Sequence, residues 1–385
     1  MYTALISALA LGQSLLVAHL LARRITYSNV YLPLATFFAV NALVQLCFIV
    51  REPSVASIAL THLSEITLLK LIAELALPPL LWIYVRELTS ARTRGWRQTD
   101  LLHFIFPLAP ALLVAFIYHL LGMITQHPAD HISTTFIDKI NAILNIAALI
   151  QFCVYVIFVM RRLKSYRRSL LNFFASTADM ELRWFRTALL LVLLGITLEV
   201  SAEILYALFE TPNPFVPWNG FVRLALVWFF AAWGLRQTPD LRIEIAQTDT
   251  ESDEVKKYEK SALSADQLAK VSEKIKSALE QDKGYKDPNL SLRTLSEKIN
   301  VVPNYASQAL NMEIKETFFD YVNKLRVLDA MDRLTSTDDT VLAISSEVGF
   351  NSRSSFYTAF KKISGQTPTA YRKTHSEPEN LSFPS

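Results

Sequence analysis

Seven long apolar runs fill the first 235 of the 385 residues, near 3–21, 30–50, 63–85, 101–122, 136–160, 185–208 and 219–235. A helix needs roughly 17 to 25 such residues to cross a bilayer. The runs therefore predict a bundle of seven transmembrane helices. The first begins at Met1 with no basic region before it and no convincing small-residue cleavage site, so it reads as a retained helix rather than a signal peptide.

Charge separates the chain into two unlike parts. Residues 1–235 hold 17 Lys/Arg and 12 Asp/Glu, whereas the much shorter stretch 236–385 holds 21 and 23. Only the second part has the surface of a soluble domain, which excludes a freely soluble enzyme over the whole length. Cys47 and Cys153 both lie within apolar runs, which excludes a disulfide scaffold or cysteine metal site.

The basic residues orient the bundle. Arg23 and Arg24 follow the first run, Arg86, Arg92, Arg94 and Arg97 the third, and Arg161, Arg162, Lys164, Arg167, Arg168 and Arg183 the fifth. The alternate gaps hold only Arg51, with Lys139 just inside the fifth run. The positive-inside rule then places the N-terminus outside and the C-terminal domain in the cytoplasm of a bacterial inner membrane.

Ionisable residues inside the runs are costly unless paired or wet. Lys70 and Glu74 are four apart and share a helix face, Glu199 and Glu203 repeat that spacing, and Arg223 lies near the outer start of the seventh run. These five form a candidate signal-sensing cluster for a small-molecule or membrane signal, set against a purely structural charge cluster. Asn41, Gln45, Asn141 and Asn145 are expected to make interhelical hydrogen bonds. Pro78 and Pro79 are expected to interrupt the third helix with a kink.

Residues 236–262 read as a solvated linker, with four acids in TDTESDE at 248–254. No dinucleotide loop, phosphate loop or HExxH occurs, and the seven histidines do not cluster with ligand spacing. No enzyme, metal or cofactor is expected.

Residues 263–375 carry helical signals throughout. Ser264 and Gln267 have capping-box spacing before Leu268, Val271, Ile275 and Leu279. A helix follows Ser291, and Pro303 opens another at 304–311; the pair makes a helix-turn-helix candidate. A longer helix spans about 317–334. The device then recurs, with a helix at 340–348, Gly349 as its left-handed end, a helix through Phe356 and Phe360 capped by Asn351 or Ser352, and Gly365 as terminator. Thr367 and Pro368 start a last helix to 373, and residues 376–385 form a disordered tail. The fold class is all-α. Residues 264–375 contain 16 Lys/Arg and 14 Asp/Glu, so any basic face must be local.

The stretch AISSEVGFNSRSSFYTAFKKISGQTPTAYRK, residues 343–373, resembles the signature of AraC/XylS-type transcription regulators: a helix closed by Gly-Phe, Ser-x-Phe, Phe-Lys-Lys, then Gly-x-Thr-Pro-x-x-Tyr-Arg. LSLRTLSEKINVVPNYASQAL (290–310) and FFDYVNKLRVLDAMDRL (318–334) extend the resemblance over the helical C-terminal segment. It implies a domain of seven helices with two helix-turn-helix units joined by the 317–334 helix. It also implies base-facing positions at Asn304, Ser307 and Gln308, and at Arg353, Ser354 and Thr358. Lys361, Lys362 and Arg372 become candidates for DNA-backbone or fold-stabilising contacts. Double-stranded DNA is the implied partner, with a homodimer and RNA polymerase as further expectations. Phe350, Phe356 and Phe360 are expected in the core. The first unit departs from the pattern, with Lys315 in place of a glycine, Val302 in place of a capping serine and Ala306 in place of a large apolar residue.

The sequence thus predicts a seven-span sensor (1–235), a linker, and a double helix-turn-helix DNA-binding domain. Two other readings compete: a membrane protein with a protein-binding tail, and a transporter or enzyme with a regulatory domain.

Overall fold

The computed structural model describes residues 2–50, 63–90, 97–105, 109, 112, 134–177, 180–209, 216–236 and 264–376. Most of the fourth apolar run, the 122–133 loop, the linker beyond Arg236 and the tail after Ser376 lie outside the described residues. The chain divides into two compact units, one of Met1–Leu163 with Arg183–Arg242 and one of Lys164–Leu182 with Ile243–Ser385. The described residues form an all-α protein whose one isolated bridge pairs Phe174 with Ser291.

The apolar runs form α1 (Tyr2–Arg24), α2 (Tyr31–Val50), α3 (Leu63–Leu88), α4 (Thr134–Phe173), α5 (Arg183–Phe209) and α6 (Val216–Arg236), all in the first unit except the end of α4 from Lys164, which belongs to the second. Five of these, α1 to α5, contain segments long and apolar enough to cross a membrane. Their outer faces leave large side chains uncovered, among them Leu5, Leu9 and Leu16 on α1 and Leu191, Leu194 and Leu198 on α5. Such surfaces are common against lipid and rare in water.

Two expectations change here. Hydropathy ends the fifth run at 160, but α4 continues to Phe173, so Arg161 to Arg168 are helical rather than loop residues. No glycine or proline occurs between 134 and 173, and Arg, Lys and Leu propagate a helix well. The α3 helix likewise continues past Pro78 and Pro79, which lie inside it and do not end it.

Polar groups pin the helices at specific levels. Asn41 on α2 donates to Ser14 Oγ on α1 at 2.9 Å, the kind of interhelical bond expected of it. The side chain of Asn141 lies outside the described residues. Gln151 on α4 donates to the Leu75 carbonyl on α3 at 2.9 Å. Arg162, further along α4, donates to Thr89 Oγ1 at 2.8 Å and to the Thr89 carbonyl at 3.0 Å, just past the end of α3. Arg24 donates to the Leu235 carbonyl at 2.6 Å, joining the C-terminal ends of α1 and α6.

The second unit contains α7 (Ala265–Lys276), α8 (Leu292–Lys298), α9 (Pro303–Ala309), α10 (Phe318–Ser336), α11 (Val341–Glu347), α12 (Arg353–Ser364) and α13 (Pro368–Ser376). Short polar side chains start these helices by accepting the first orphan N–H groups. Ser264 and Gln267 form the expected capping box, Ser291 accepts from Thr294, Thr317 from Asp320, Thr340 from Ala343 and Ser352 from Ser355. Ser352, not Asn351, is therefore the cap of α12. The last helix extends beyond 373 to Ser376, with the Tyr371 and His375 rings stacked at 4.0 Å.

Two apolar cores fill this unit. One joins Leu268, Ile275, Leu279, Leu292, Ala306 and Phe318, and includes Ala175 from the α4–α5 connector. The other joins Val327, Leu334, Ile344, Val348, Phe350, Phe356 and Phe360. The helix α10 supplies both. Arg326, fully buried between them, donates to the Tyr285 and Asp287 carbonyls at 2.7 Å each and lies 5.5 Å from the centre of the Phe350 ring. Desolvation lowers its pKa to about 10, which leaves it charged at neutral pH.

Candidate nucleic-acid interface

The exposed faces of α9 and α12 follow from which residues their cores claim. On α12, Phe356 and Phe360 are fully buried, with ring centroids 5.5 Å apart. A helix buried at 356 and 360 turns 354, 358 and 361 outward; Ser354, Thr358 and Lys361 are exposed on that face, and Arg353 is exposed at the first position of the helix. On α9, Pro303, Ala306 and Ala309 are buried, and Asn304, Ser307 and Gln308 form a half-exposed row at i, i+3 and i+4. Asn304, Ser307 and Gln308 share one face of α9, Ser354 and Thr358 share one face of α12 with Arg353 beside them at its start, and the two sets occupy separate helices.

The turns before these helices differ. Before α12, Gly349 adopts φ +98°. A Cβ there would meet the Lys286 carbonyl oxygen at 2.7 Å and that of Tyr285 at 2.8 Å. Glycine is required both for the dihedral and for the close approach. Before α9, Val302 provides no side-chain cap. After α9 the chain widens into a π-turn over Leu310–Ile314 and ends at Lys315 with φ +61°. Lys315 thus takes the left-handed conformation without being glycine, at a cost of about 1–2 kcal/mol.

Local pairing accounts for the near-neutral charge of this unit. Lys270, Lys276, Lys286, Arg293, Lys298, Lys324, Arg333 and Lys362 each pair with a carboxylate of the same unit. On α12 and α13, Arg353, Lys361 and Lys373 make no ion pair among the described residues. The uncompensated positive charge of these two helices therefore lies on the outward face of α12 and near the end of α13.

Arg353 is held nonetheless. Its guanidinium lies 5.1 Å from the Tyr357 ring centre, and Nη2 donates to the Tyr357 hydroxyl oxygen at 3.4 Å. That bond, with a second from Thr369, keeps the Tyr357 phenol below its ordinary pKa. Tyr357 is absent from the residues expected at the site, although an Arg–Tyr pair four apart is a legible helix-face signal. Lys362 is committed to Asp320 at 2.7 Å. Arg372 donates to the Leu334 carbonyl at 3.1 Å and the Asp339 carbonyl at 2.6 Å, which ties α13 to the end of α10. Both support the fold in this state.

Of the membrane residues, Lys70 and Glu74 pair at 3.2 Å, with Lys70 Nζ 4.6 Å from the Phe48 ring centre. Glu199 is half-buried on α5. The side chains of Glu203 and Arg223 lie outside the described residues. A polar network not foreseen from sequence lies at the end of α3. There Arg86 binds both carboxylate oxygens of Asp100 and reaches Glu87 Oε1 at 3.1 Å, while the Arg97 N–H donates to Asp100 at 2.9 Å. Among the described residues no group of three or more His, Cys, Asp or Glu could hold a metal.

Residues 295–374 match a protein family described as a helix-turn-helix domain. The melibiose operon regulatory protein of Escherichia coli K12 is 31% identical over 98 residues, which are 26% of this chain and 32% of that protein. An uncharacterized HTH-type transcriptional regulator of Staphylococcus aureus is 34% identical over 84 residues, 22% of this chain and 11% of the relative. The chain thus spans about a third or less of these relatives. Among solved structures, the C-terminal domain of AraT, a response regulator from Geobacillus stearothermophilus, is 30% identical with a TM-score of 0.26 and covers 32% of this chain and 95% of that one. Residues 295–374 are thus homologous to the helix-turn-helix segment of transcriptional regulators, in a chain that also has, among the described residues, five helices long and apolar enough to cross a membrane.

Proposed function

We propose that this protein is a membrane-embedded transcription regulator of the AraC/XylS type. It binds specific double-stranded DNA through two helix-turn-helix units, α8–α9 and α11–α12, in response to a signal received by its membrane half. The observation that carries this reading is the outward face of α12, where Arg353, Ser354, Thr358 and Lys361 stand exposed behind a glycine turn within the matched helix-turn-helix segment. Arg353 addresses a guanine edge, and Asn304 and Gln308 address adenine. The α10 helix that joins the two units has 19 residues and a length of about 28 Å, a scale comparable with one DNA turn of about 34 Å.

Helix direction supports seven crossings. Gln151 meets Leu75, and Arg162 meets Thr89, so α3 and α4 run parallel. Parallel neighbours are the arrangement that a further crossing by the fourth apolar run would give. The α1 and α6 helices also meet at their C-terminal ends through Arg24 and Leu235, which favours an odd number of crossings from first to last. With the arginine-rich ends inside, the N-terminus faces out and residues 263–375 face the cytoplasm. Lys70, Glu74, Glu199, Glu203 and Arg223 then lie toward the outer half, open to a small-molecule or membrane signal. A homodimer and RNA polymerase are the expected protein partners.

The test is genomic DNA occupancy by the full-length chain in its own membrane, paired with transcript changes on deletion of the gene. Enrichment of discrete promoters that lose regulation on deletion supports the reading. Uniform recovery of DNA, or none, refutes it.

A further inference from the structure

The second unit incorporates a piece of chain from far outside its own sequence. The connector between α4 and α5 enters its first core and is held there by backbone and side-chain bonds. Phe174 opposes Ser291 in an antiparallel bridge, and the Ala175 N–H donates to the Leu290 carbonyl at 3.2 Å. The Ala175 carbonyl accepts from Asn323 Nδ2 at 3.3 Å and from Arg326 Nη1 at 3.5 Å. Ala175 is 1% exposed and Phe174 5%, with Phe173 packed against the same core. The connector is itself braced, because Glu181 accepts from Thr177 at 2.8 Å and from Arg167 at 3.1 Å.

The seat is placed where it matters for the proposed DNA-binding geometry. Ser291 is the cap of α8, the first helix of the first unit. Asn323 and Arg326 belong to α10. Among the described residues Arg326 makes no ion pair, although the Asp287 carboxylate favours its charge; its acceptors are the carbonyls of Tyr285, Asp287 and Ala175, and its guanidinium lies near Phe350 of the other core. A buried guanidinium keeps its place only while its N–H groups are satisfied. One of those acceptors comes from the segment that joins two membrane helices.

We infer that residues 173–177 are a latch: a docked strand whose seating on Leu290–Ser291, Asn323 and Arg326 holds the first helix-turn-helix unit in its DNA-competent position. Motion of α4 against α5 unseats the latch and lowers DNA affinity. This gives the membrane half a direct connection to the DNA-binding unit besides the 237–262 linker. The inference rests on the DNA-binding reading for its consequence, but the seating itself is measured without DNA.

The experiment uses the full chain in lipid nanodiscs. Cys47→Ser and Cys153→Ser remove the free thiols; Phe174→Cys with Ser291→Cys then place thiols on directly opposed residues, whose Cβ separation suits a disulfide. Oxidation is expected to close that bond nearly completely, and the closed form is expected to bind its duplex more tightly than the same variant with the bond reduced. The duplex is one selected by the parent from a random-sequence pool. Ala175→Lys forces a long cationic side chain into the apolar core where a buried methyl group sits. It is expected to speed hydrogen exchange in α8 and α9, and to weaken duplex binding, by about tenfold or more, the scale of one lost buried hydrogen bond. Exchange in α11 and α12 should stay at the parent level. If Ala175→Lys fails to fold, Phe174→Ala gives the same readouts at smaller amplitude. No disulfide, unchanged exchange in α8 and α9, or tighter duplex binding by the unseated variant overturns the latch. Closure of the disulfide in a chain whose parent selects no duplex leaves the seating standing and sinks the DNA-binding reading.

Discussion

Replacing Gly349 with alanine should loosen the joint between the two helix pairs far more than the same change at Gly365. Both residues have positive φ, +98° and +77°. That alone costs alanine about 1–2 kcal/mol at either site. The surroundings separate them. A Cβ at Gly365 meets nothing within 4 Å, whereas at Gly349 it meets two carbonyl oxygens and the Lys286 carbonyl carbon at 2.7, 2.8 and 2.9 Å. These are backbone atoms, which cannot swing aside like a side chain. One of them, Tyr285 O, is also an acceptor of the buried Arg326. Moving it strains or breaks a charge-assisted bond, a further cost of about 1–3 kcal/mol. Gly349→Ala should therefore lose roughly 3 kcal/mol against about 1 kcal/mol for Gly365→Ala. Hydrogen exchange of α10 and α12 amides in the full chain reads the difference. It predicts acceleration on the order of a hundredfold for the first variant and about fivefold for the second, since about 1.4 kcal/mol is a factor of ten. Equal acceleration by both variants would refute the argument, because only the packing against Tyr285 and Lys286 distinguishes the sites.

Other predictions rest on separate parts of the molecule. Arg353→Ala should cost about 1–3 kcal/mol on the preferred duplex and flatten selectivity at one base pair, while Lys361→Ala should weaken all duplexes alike and lower the salt slope by about one; titrations at several salt concentrations against specific and scrambled DNA check both. Burial alone would raise the pKa of Asp320, but bonds from Lys362 and Thr317 outweigh it and hold the carboxyl below its ordinary 3.8. A lowered folded value gives stability that is present above the unfolded pKa and lost as pH falls through the folded one, below about pH 4. Asp320→Asn should accordingly flatten the acid rise in pepsin susceptibility of the helical unit. Reporter fusions after Gly122 and Pro214 should be active outside, and those after Ala91 and Tyr166 inside; a cytoplasmic reporter after Gly122 rejects seven spans. Glu199→Gln or Glu203→Gln should alter the transcriptional response, and normal signalling by the single and double variants removes the cluster from signal reception.

Local features are legible in the sequence because their causes are local. Ser264 with Gln267, Gly349 and Gly365 each announce a helix boundary through a side chain or a missing one, and the structure has those boundaries. Phe356 and Phe360 mark the buried face of α12 through spacing alone, and the exposed face follows from it. Boundaries without such punctuation are not legible: α4 runs on to Phe173, well past 160, because hydropathy stops there and helix propensity does not. Partners distant in sequence leave no trace. Asp100 with Arg86, and Ala175 with Arg326, meet only after the helices have packed. Ala175 in particular is an ordinary small residue whose importance lies in its carbonyl, and a backbone acceptor has no sequence signature.

Arg326 shows how that limit bears on function. In the middle of α10, Arg326 is assigned no role from sequence. In the fold it is the largest fully buried side chain among the described residues. Backbone carbonyls satisfy it, and they come from the 284–290 turn and the α4–α5 connector. Replacing a buried ion with an apolar residue of similar shape often costs little, so a role in stability alone does not explain why a charge is kept here. A guanidinium with carbonyl acceptors on separate segments does something a leucine cannot, because its satisfaction depends on all those segments being in place together. Arg326→Leu should then leave the helical unit folded yet insensitive to Ala175→Lys, since the group that registers the connector has gone. If the two substitutions instead add in their effects on duplex binding, the connector acts through some other contact, and Arg326 is only part of the packing between the two cores.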